Sequence, residues 1–337
     1  MLKFIWAVVA LFLLVSCQPQ LQDIKETRLL LGTVVTFTVT GKPEDVALQA
    51  ITQAAAAMQA VENTFTTHGD VLNTVKTFNQ AAVGEAVQLD AAVDTLLQQS
   101  IKYWRETQAA FDPTLGDLNM RWGFSGDVAP RQVLSKAEVR QALTRSGVDN
   151  IRRIAPRTWV KDKAGIQLDF GAIAKGLAID KGIAKLKHLG IQHAIINAGG
   201  DMRILGDHGG QSWRIAIRHP RQDTALGWLD ISADTSIVTS GDYERFFISQ
   251  GKRYHHIINP KTGFPAMQSV SVTVQAPTAM QADALSTALF ILGFEKGMSL
   301  VESMPNVEAI WVDPDMLVHM SSGIKTQFHL LDEKESE

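Results

Sequence analysis

The chain has 337 residues, a formal net charge of −3 and no basic run, which disfavours nucleic acid as a partner. It holds one cysteine, so no intrachain disulfide forms and stability rests on an ordinary apolar core. With 45% hydrophobic residues it can build that core in one large domain or two closely joined ones.

Lys3 followed by the apolar run Ile5 to Val15 reads as a signal peptide over residues 1–16, too short to span a bilayer. Leu14-Val15-Ser16-Cys17 has the pattern of a bacterial lipoprotein signal. In that pattern Cys17 becomes the N-terminus, and its acyl chains hold the protein on the periplasmic side of a membrane. Gln18 after the cysteine leans towards the outer membrane. Residues 17–27 are then a tether, 28–325 the folded domain and 326–337 a charged tail.

Alternation through Val34 to Val39 predicts a strand over Arg28–Thr40, with a bulge at Gly32-Thr33. Pro43 opens an Ala/Gln-rich helix running to about Asn63, and a loop with a short helix fills 64–79. Asp90 caps a helix to Arg105 whose apolar face carries Leu96, Leu97, Ile101 and Trp104. Pro113 keeps Asp112 extended, so Phe111-Asp112-Pro113-Thr114 is a turn. Trp122 and Phe124 either stack a planar ligand or plug the core, the commoner use. Ser135 with Glu138 three residues on is a capping box, and Ile151–Leu168 reads as an antiparallel hairpin.

Ile166 to Asp180 is the centre of the reading. A short apolar strand ends at Asp169, turns at Gly171 and continues as a helix ending near Leu189-Gly190. Such a turn aims several backbone N–H groups at one spot and can hold a phosphate, with Asp169 at the mouth and Lys175 inside the helix. A plain strand–turn–helix with a capping Asp and a solvated Lys explains the same residues. Ala194–Asn197 is a buried strand whose Ala198-Gly199-Gly200-Asp201 end is either a ligand approach or a hairpin turn. Trp213–Arg218, Leu226–Ser232 and Ser236–Ser240 are strands, with a sharp turn at Ser240-Gly241-Asp242. His255 and His256 end a strand beside the rigid Asn259-Pro260 turn, which suits His256 as a general base or phosphate donor. On the helix Met280–Gly293, Asp283 and Thr287 are four apart and share a face, with Ser286 adjacent. A carboxylate and a hydroxyl there suit a hard cation such as Mg²⁺, though an Asp near a helix start often only complements the dipole.

Five motifs resemble the ApbE family, the FAD:protein FMN transferases. They are LDFGAIAKGLAID, INAGGD, VTSGDYERFF, HIINPKTGFPA and SVTVQAPTAMQADALSTALFILG, in the family's order. The resemblance implies an α+β, ApbE-type fold of mixed, mostly antiparallel sheets packed with helices. It implies cleavage of the FAD pyrophosphate, transfer of FMN to a Thr or Ser of a target protein, and release of AMP. It places Mg²⁺ at Asp283, Thr287 and the Ala172 carbonyl, with Ser286 nearby. It places FAD against Leu31, Phe65, Ala110, Phe111, Asp112, Asp169, Lys175, His256 and Ile257. The chain departs from the family pattern at Leu31, where Met is usual, and at Ser286, where some relatives carry a second Asp. The implied acceptor is a flavin-carrying subunit of a membrane redox complex. An FAD pyrophosphatase using water, or a flavin-binding lipoprotein without catalysis, fits many of the same residues.

Overall fold

A computed structural model describes residues 22–125 and 131–331. The signal peptide 1–16, Cys17 and the tail beyond residue 331 lie outside the described residues.

The chain begins with β1 (Asp23–Leu30) and β2 (Thr33–Thr40), a hairpin. This corrects the single bulged strand expected over Arg28–Thr40. Leu31 at φ 57° and Gly32 at φ 67° make a two-residue turn of the kind that matches strand twist. It also moves residues 23–27 from the expected tether into a strand.

Helices α1 (Glu44–Phe65), α2 (Thr74–Gln80) and α3 (Ala91–Glu106) follow. The short strand β3 (Val87–Gln88) precedes α3. Asp90 is the N-cap residue of α3 but makes no capping bond, its carboxylate accepting instead from the Thr74 hydroxyl at 3.1 Å. After α4 (Gly116–Arg121) comes α5 (Lys136–Leu143), where the expected Ser135–Glu138 capping box is formed. The hairpin β4 (Ile151–Ala155) and β5 (Thr158–Lys161) joins β3 in a three-stranded sheet.

Then come α6 (Ala174–His188), β6 (Ala194–Ala198) and β7 (Asp201–Leu205). Strands β8 (Trp213–Arg218), β9 (Ala225–Ile231) and β10 (Thr235–Gly241) continue the chain. Strand β10 runs through Gly241, so the turn expected from Ser240 begins two residues later, at Asp242. The ribbon β11 (Phe246–Ser249) and β12 (Lys252–His255) precedes β13 (Ser271–Ala276). Helix α7 (Ala279–Val301), β14 (Glu308–Val312), β15 (Val318–Met320) and β16 (Phe328–Leu330) complete the described chain. Because β16 pairs with β9, residues 328–330 belong to the fold and not to the expected tail.

An antiparallel eight-stranded sheet, ordered β1-β2-β6-β7-β10-β13-β14-β15, is the frame. Its side chains alternate between two cores. Val238, Ala309 and Trp311 face a core shared with α1, α6 and α7. Their neighbours Ile237, Ile310 and Val312 face a second core under the β16-β9-β8 sheet. With both faces covered, β6 and β14 carry consecutive apolar residues, Ala194–Ile196 and Ala309–Val312. The architecture is α+β, as the composition of elements implied.

Helix α7 has a mean hydropathy of 1.4 and the length to cross a membrane, yet it lies in the protein core. Its length conceals a break: Gly293 has φ 75° and ψ 176°, backbone a side chain tolerates poorly. The expected helix ended at this residue.

Helices α6 and α7 cross at Gly176, where a β-carbon would run into the backbone carbonyl of Ala279. Around that crossing each helix caps the other. Asp180 of α6 accepts from the amides of Ala279 and Met280, both at 2.9 Å. Asp283 of α7 accepts from the Gly176 amide at 2.9 Å. Gly176→Ala should therefore force the helices apart and lower stability by about 3 kcal/mol. Denaturant unfolding that matched the wild type would show that the close approach is unimportant.

Candidate functional site

The start of α6 is built by side chains as much as by backbone. The segment Ile166–Asp169 is not the strand its alternation suggests. Asn79 clamps it, donating from Nδ2 to the Leu168 carbonyl at 3.0 Å and accepting from the Leu168 amide at 2.7 Å. The Lys161 ammonium donates to the carbonyls of Asn79 at 2.9 Å and Ile166 at 3.3 Å. Burial holds the Lys161 pKa below its ordinary value. Side-chain rungs thus extend a short backbone bridge, in which Gln167 pairs with Leu115 and the Asp169 amide donates to the Pro113 carbonyl at 2.8 Å, and together they fix where Asp169 points.

Beyond Asp169 the chain turns. Asp169 Oδ1 accepts from the Gly171 amide at 2.8 Å, and the Phe170 carbonyl accepts from both Ile173 and Ala174. In a regular helix the Gly176 amide would bond to the carbonyl four residues back, that of Ala172. Here it donates to Asp283 instead. Among the described residues no donor reaches the Ala172 carbonyl, which is left with its lone pairs free.

Three ionic groups meet beside this carbonyl. Asp201, the first residue of β7, is 2% exposed and Asp283 is 5% exposed. Lys175 Nζ lies 2.5 Å from Asp201 Oδ2, and the Thr239 amide donates to Asp201 Oδ1 at 3.3 Å. Burial and then the Asp201 charge push the Asp283 carboxyl up to about 7, against the pull of Lys175, the Gly176 amide and Arg245. Burial works to lower the Lys175 pKa, but Asp201 and Asp283 outweigh it and the ammonium is held above its usual range. Lys175 is therefore held by Asp201 and not by Asp169 at the mouth of the turn. Asp169 instead accepts from Asn119 and Ser125, both at 3.0 Å, and lines a cavity of about 340 Å³.

Hydroxyls complete the cluster. Ser286 is fully buried and donates to the Asp283 carbonyl at 3.0 Å. Ser240 of β10 lies 2.8 Å from the Ser286 hydroxyl and 3.4 Å from that of Thr287. Among the described residues no three Asp, Glu, His or Cys side chains converge. An ion here would therefore need the Ala172 carbonyl and a hydroxyl beside Asp283. That all-oxygen set, with the buried Asp201 carboxylate near it and paired to Lys175 at 2.5 Å, fits a hard cation.

The two histidines separate cleanly. His255 is buried, donates from Nε2 to the Ala266 carbonyl at 2.8 Å and packs edge-on against Phe290, so it is structural. His256 is half-buried, and its Nδ1 lies 3.3 Å from the Arg245 carbonyl. A carbonyl only accepts, so Nδ1 carries the proton and Nε2 is left with a lone pair. Burial, then the charges of Arg245, His255 and Lys175, hold the His256 pKa well below its ordinary value. The imidazole is neutral at pH 7 and available as a base.

The remaining expected contacts spread outward. Phe65 is 5% exposed and meets Phe170 edge-on at 5.4 Å, just before the Ala172 turn. Leu31 sits in the β1–β2 turn, its amide donating to Glu62 at 3.1 Å. Ala110 and Phe111 are buried, Phe111 against Tyr103. Asp112 accepts from the Thr114 amide at 2.8 Å, and burial raises its pKa. Ala110 borders a separate cavity of about 670 Å³ reached by Gly293 and His319. That larger cavity includes none of Lys175, Asp201 or Asp283, so size alone does not mark the ionic cluster. Ile257 is buried, with its amide on His255 and its carbonyl on Ala266. Trp122 is fully buried among Phe124, Tyr254 and Phe264, which decides for core plug over ligand platform.

Residues 31–311 match the ApbE family. The chain is 34% identical to the FAD:protein FMN transferase of Treponema pallidum, over 94% of its own length and 92% of that protein. The crystal structure of the ApbE protein from Thermotoga maritima aligns with a TM-score of 0.82 at 31% identity, covering 91% of this chain and 99% of that one. The flavin transferase ApbE from Vibrio cholerae aligns with a TM-score of 0.79 at 27% identity, again over 91% and 99%.

The raised Asp283 pKa has a thermodynamic sign. The folded chain keeps this proton up to about pH 7, whereas the unfolded chain releases it near 3.8. Its stabilising contribution is complete below 3.8 and is lost as pH rises through about 7. In chelator, Asp283→Asn keeps the bond to Gly176 but removes the charge. It should be more stable than the wild type at about pH 8, by on the order of 3 kcal/mol, and equal to it at low pH. Identical pH slopes for the two proteins in denaturant titrations would contradict this.

Proposed function

The chain belongs to the ApbE family, and on that premise we propose that it moves FMN from FAD to a Thr or Ser hydroxyl of an acceptor protein in a Mg²⁺-dependent reaction that releases AMP. Its relatives are FAD:protein FMN transferases, and it is a transferase of that kind. One observation carries the mechanistic reading. The Lys175–Asp201–Asp283 cluster, with an unused carbonyl and a hydroxyl at its edge, shares its charge environment with a neutral histidine.

Ala172, Asp283 and Thr287 would hold the ion, with Ser286 fixing the Asp283 backbone and Ser240 the two hydroxyls. Mg²⁺ bound there supplies charge neutralisation and Lewis-acid polarisation of the pyrophosphate. The rest is done by this chain. Lys175, kept protonated and pinned by Asp201, faces the negative charge that builds on the leaving phosphate. His256 Nε2 takes the proton from the acceptor hydroxyl as its oxygen bonds to the FMN phosphorus. The phosphorus–oxygen bond to AMP breaks, and AMP leaves with the bridging oxygen. Leu31, Phe65, Ala110 to Asp112, Asp169 and Ile257 are assigned to the FAD contact on the family resemblance.

The location follows from the first residues. We propose that Cys17 is acylated after removal of 1–16 and tethers the enzyme to the periplasmic face of a bacterial membrane, the outer membrane by preference. The acceptor on this reading is a flavin-carrying subunit of a membrane redox complex. Cys17→Ser should release the protein into the soluble fraction.

Mass spectrometry of an acceptor co-expressed with the wild type should show a covalent FMN adduct. Asp283→Ala should abolish the adduct. His256→Ala should still bind FAD while transfer falls ~10²–10⁴-fold. Loss of FAD binding by His256→Ala would make this residue a ligand contact instead of a base. Because the ion needs the Asp283 carboxylate ionised, Mg²⁺ affinity should weaken about tenfold per pH unit below about 7. A flat calorimetric affinity across that range would remove Asp283 from the ligand set.

A further inference from the structure

Among the described residues the ribbon β11–β12 forms a two-stranded sheet joined to none of the others. At its base one face, Phe247 and Tyr254, stacks on Phe124 and Trp122. On the other face Arg253 lies over Phe246 and pairs with Asp242, while His255 packs on Phe290. The tip stands clear, with Ile248 64% exposed. Isolated two-stranded ribbons are marginal on their own, and their outer edges are templates for another strand.

The register says which groups point outward. Gln250 at φ 50° and Gly251 at φ 75° form a two-residue turn, which makes Ser249 and Lys252 the closing hydrogen-bonded pair. Alternation then makes Phe247–Tyr254 hydrogen-bonded, and Ile248–Arg253 and Phe246–His255 non-hydrogen-bonded. The amides and carbonyls of Phe246 and Ile248 therefore face away from β12. Among the described residues one of these groups is in use: Arg131 Nη1 donates to the Phe246 carbonyl at 2.6 Å. A side chain fills the place where a third strand would put an N–H.

Both ends of the ribbon run into the ionic cluster. Arg245 precedes β11 and His256 follows β12, and the Arg245 carbonyl accepts from the His256 amide at 3.0 Å. The rim is basic. Lys252, Arg131 and Arg245 are exposed, Arg253 is spent on Asp242, and Glu244 is the exposed counter-charge at the root.

We propose that the outer edge of β11 receives the acceptor protein as an added strand. The occupant is an extended segment with acidic residues flanking the Thr or Ser to be modified, laid along Phe246–Ile248 so that its hydroxyl reaches His256. Strand addition uses the backbone for affinity and leaves side chains to choose the partner. It also explains how an enzyme can present a single hydroxyl of a large protein to a recessed base. The inference rests on the transferase reading.

Short synthetic peptides test it, each with one Thr and either acidic or lysine flanks. They are incubated with full-length enzyme, FAD and Mg²⁺, and covalent FMN is read by mass spectrometry. The acidic peptides should be modified in preference to the lysine ones. Ile248→Pro deletes an outward N–H without touching the ribbon's own ladder. It should raise the KM for acidic peptide about five- to tenfold, the weight of one or two backbone hydrogen bonds, with kcat and FAD affinity unchanged. Ile248→Thr keeps the amide and should restore the KM, which separates edge loss from misfolding. Lys252→Glu should narrow the preference between flanks. Equal KM values for wild type and Ile248→Pro, or modification of neither peptide set by enzyme that binds FAD normally, would overturn strand addition. Failure of the wild type to bind FAD at all would overturn the transferase reading instead.

Discussion

Everything at the centre of this molecule depends on one constraint: two helices, α6 and α7, are each capped by a carboxylate carried on the other. Asp180 takes the first two amides of α7, and Asp283 takes an amide from the first turn of α6. Each helix start gains a negative group where its dipole favours one. The crossing is close enough that only glycine fits at 176. The exchange has a chemical by-product. By capturing the Gly176 amide, Asp283 deprives the Ala172 carbonyl of its usual partner. A packing device thus leaves a backbone oxygen and a carboxylate side by side, both with unused lone pairs.

The charges around that crossing are arranged against stability. Two buried carboxylates share one ammonium, and burial with the Asp201 charge drives Asp283 up to about 7. A structural ion pair would not need the second carboxylate, since truncating a buried charge cluster to apolar groups is often neutral or better. Excess buried negative charge suits the cation and pyrophosphate chemistry proposed for this site. The same surroundings act oppositely on His256. Burial and nearby positive charge keep it neutral, so the same surroundings push a carboxyl up and an imidazole down, the directions that the proposed roles require.

What the chain announced and what it concealed follow from the range of the forces involved. Capping at Ser135, the turn at Asp112 and the shared face of Asp283 and Thr287 are local, and periodicity exposes them. The hairpin at Leu31-Gly32 was hidden because Leu-Gly lacks the Asn-Gly or Asp-Gly signature of such turns. Strand β1 was hidden because it is an edge strand, with Lys25, Thr27 and Leu29 facing solvent. Asp201 is the costliest omission: its partner Lys175 lies on a different element, and only the fold brings them within 2.5 Å. The two glycines before it, in a strand-ending Gly-Gly-Asp, were the available signal. Asn79 left none, because an asparagine clamping a distant backbone looks like any loop asparagine until the Leu168 contact is seen.

The false strand at Ile166–Asp169 shows why the site sits where it does. Its backbone pairs only briefly, at a parallel bridge from Gln167 to Leu115 and through an Asp169 amide that donates to the Pro113 carbonyl at 2.8 Å. With Asn79 and Lys161 serving as rungs, the segment keeps an extended shape but ends free to turn. The turn then delivers Gly171, Ala172 and Lys175 to the α7 crossing in succession. Side-chain pairing completes so short a backbone bridge because both clamps bond within the segment itself. Local order is bought there with an amide and a buried ammonium, and the backbone released by it is what the ionic cluster is made from.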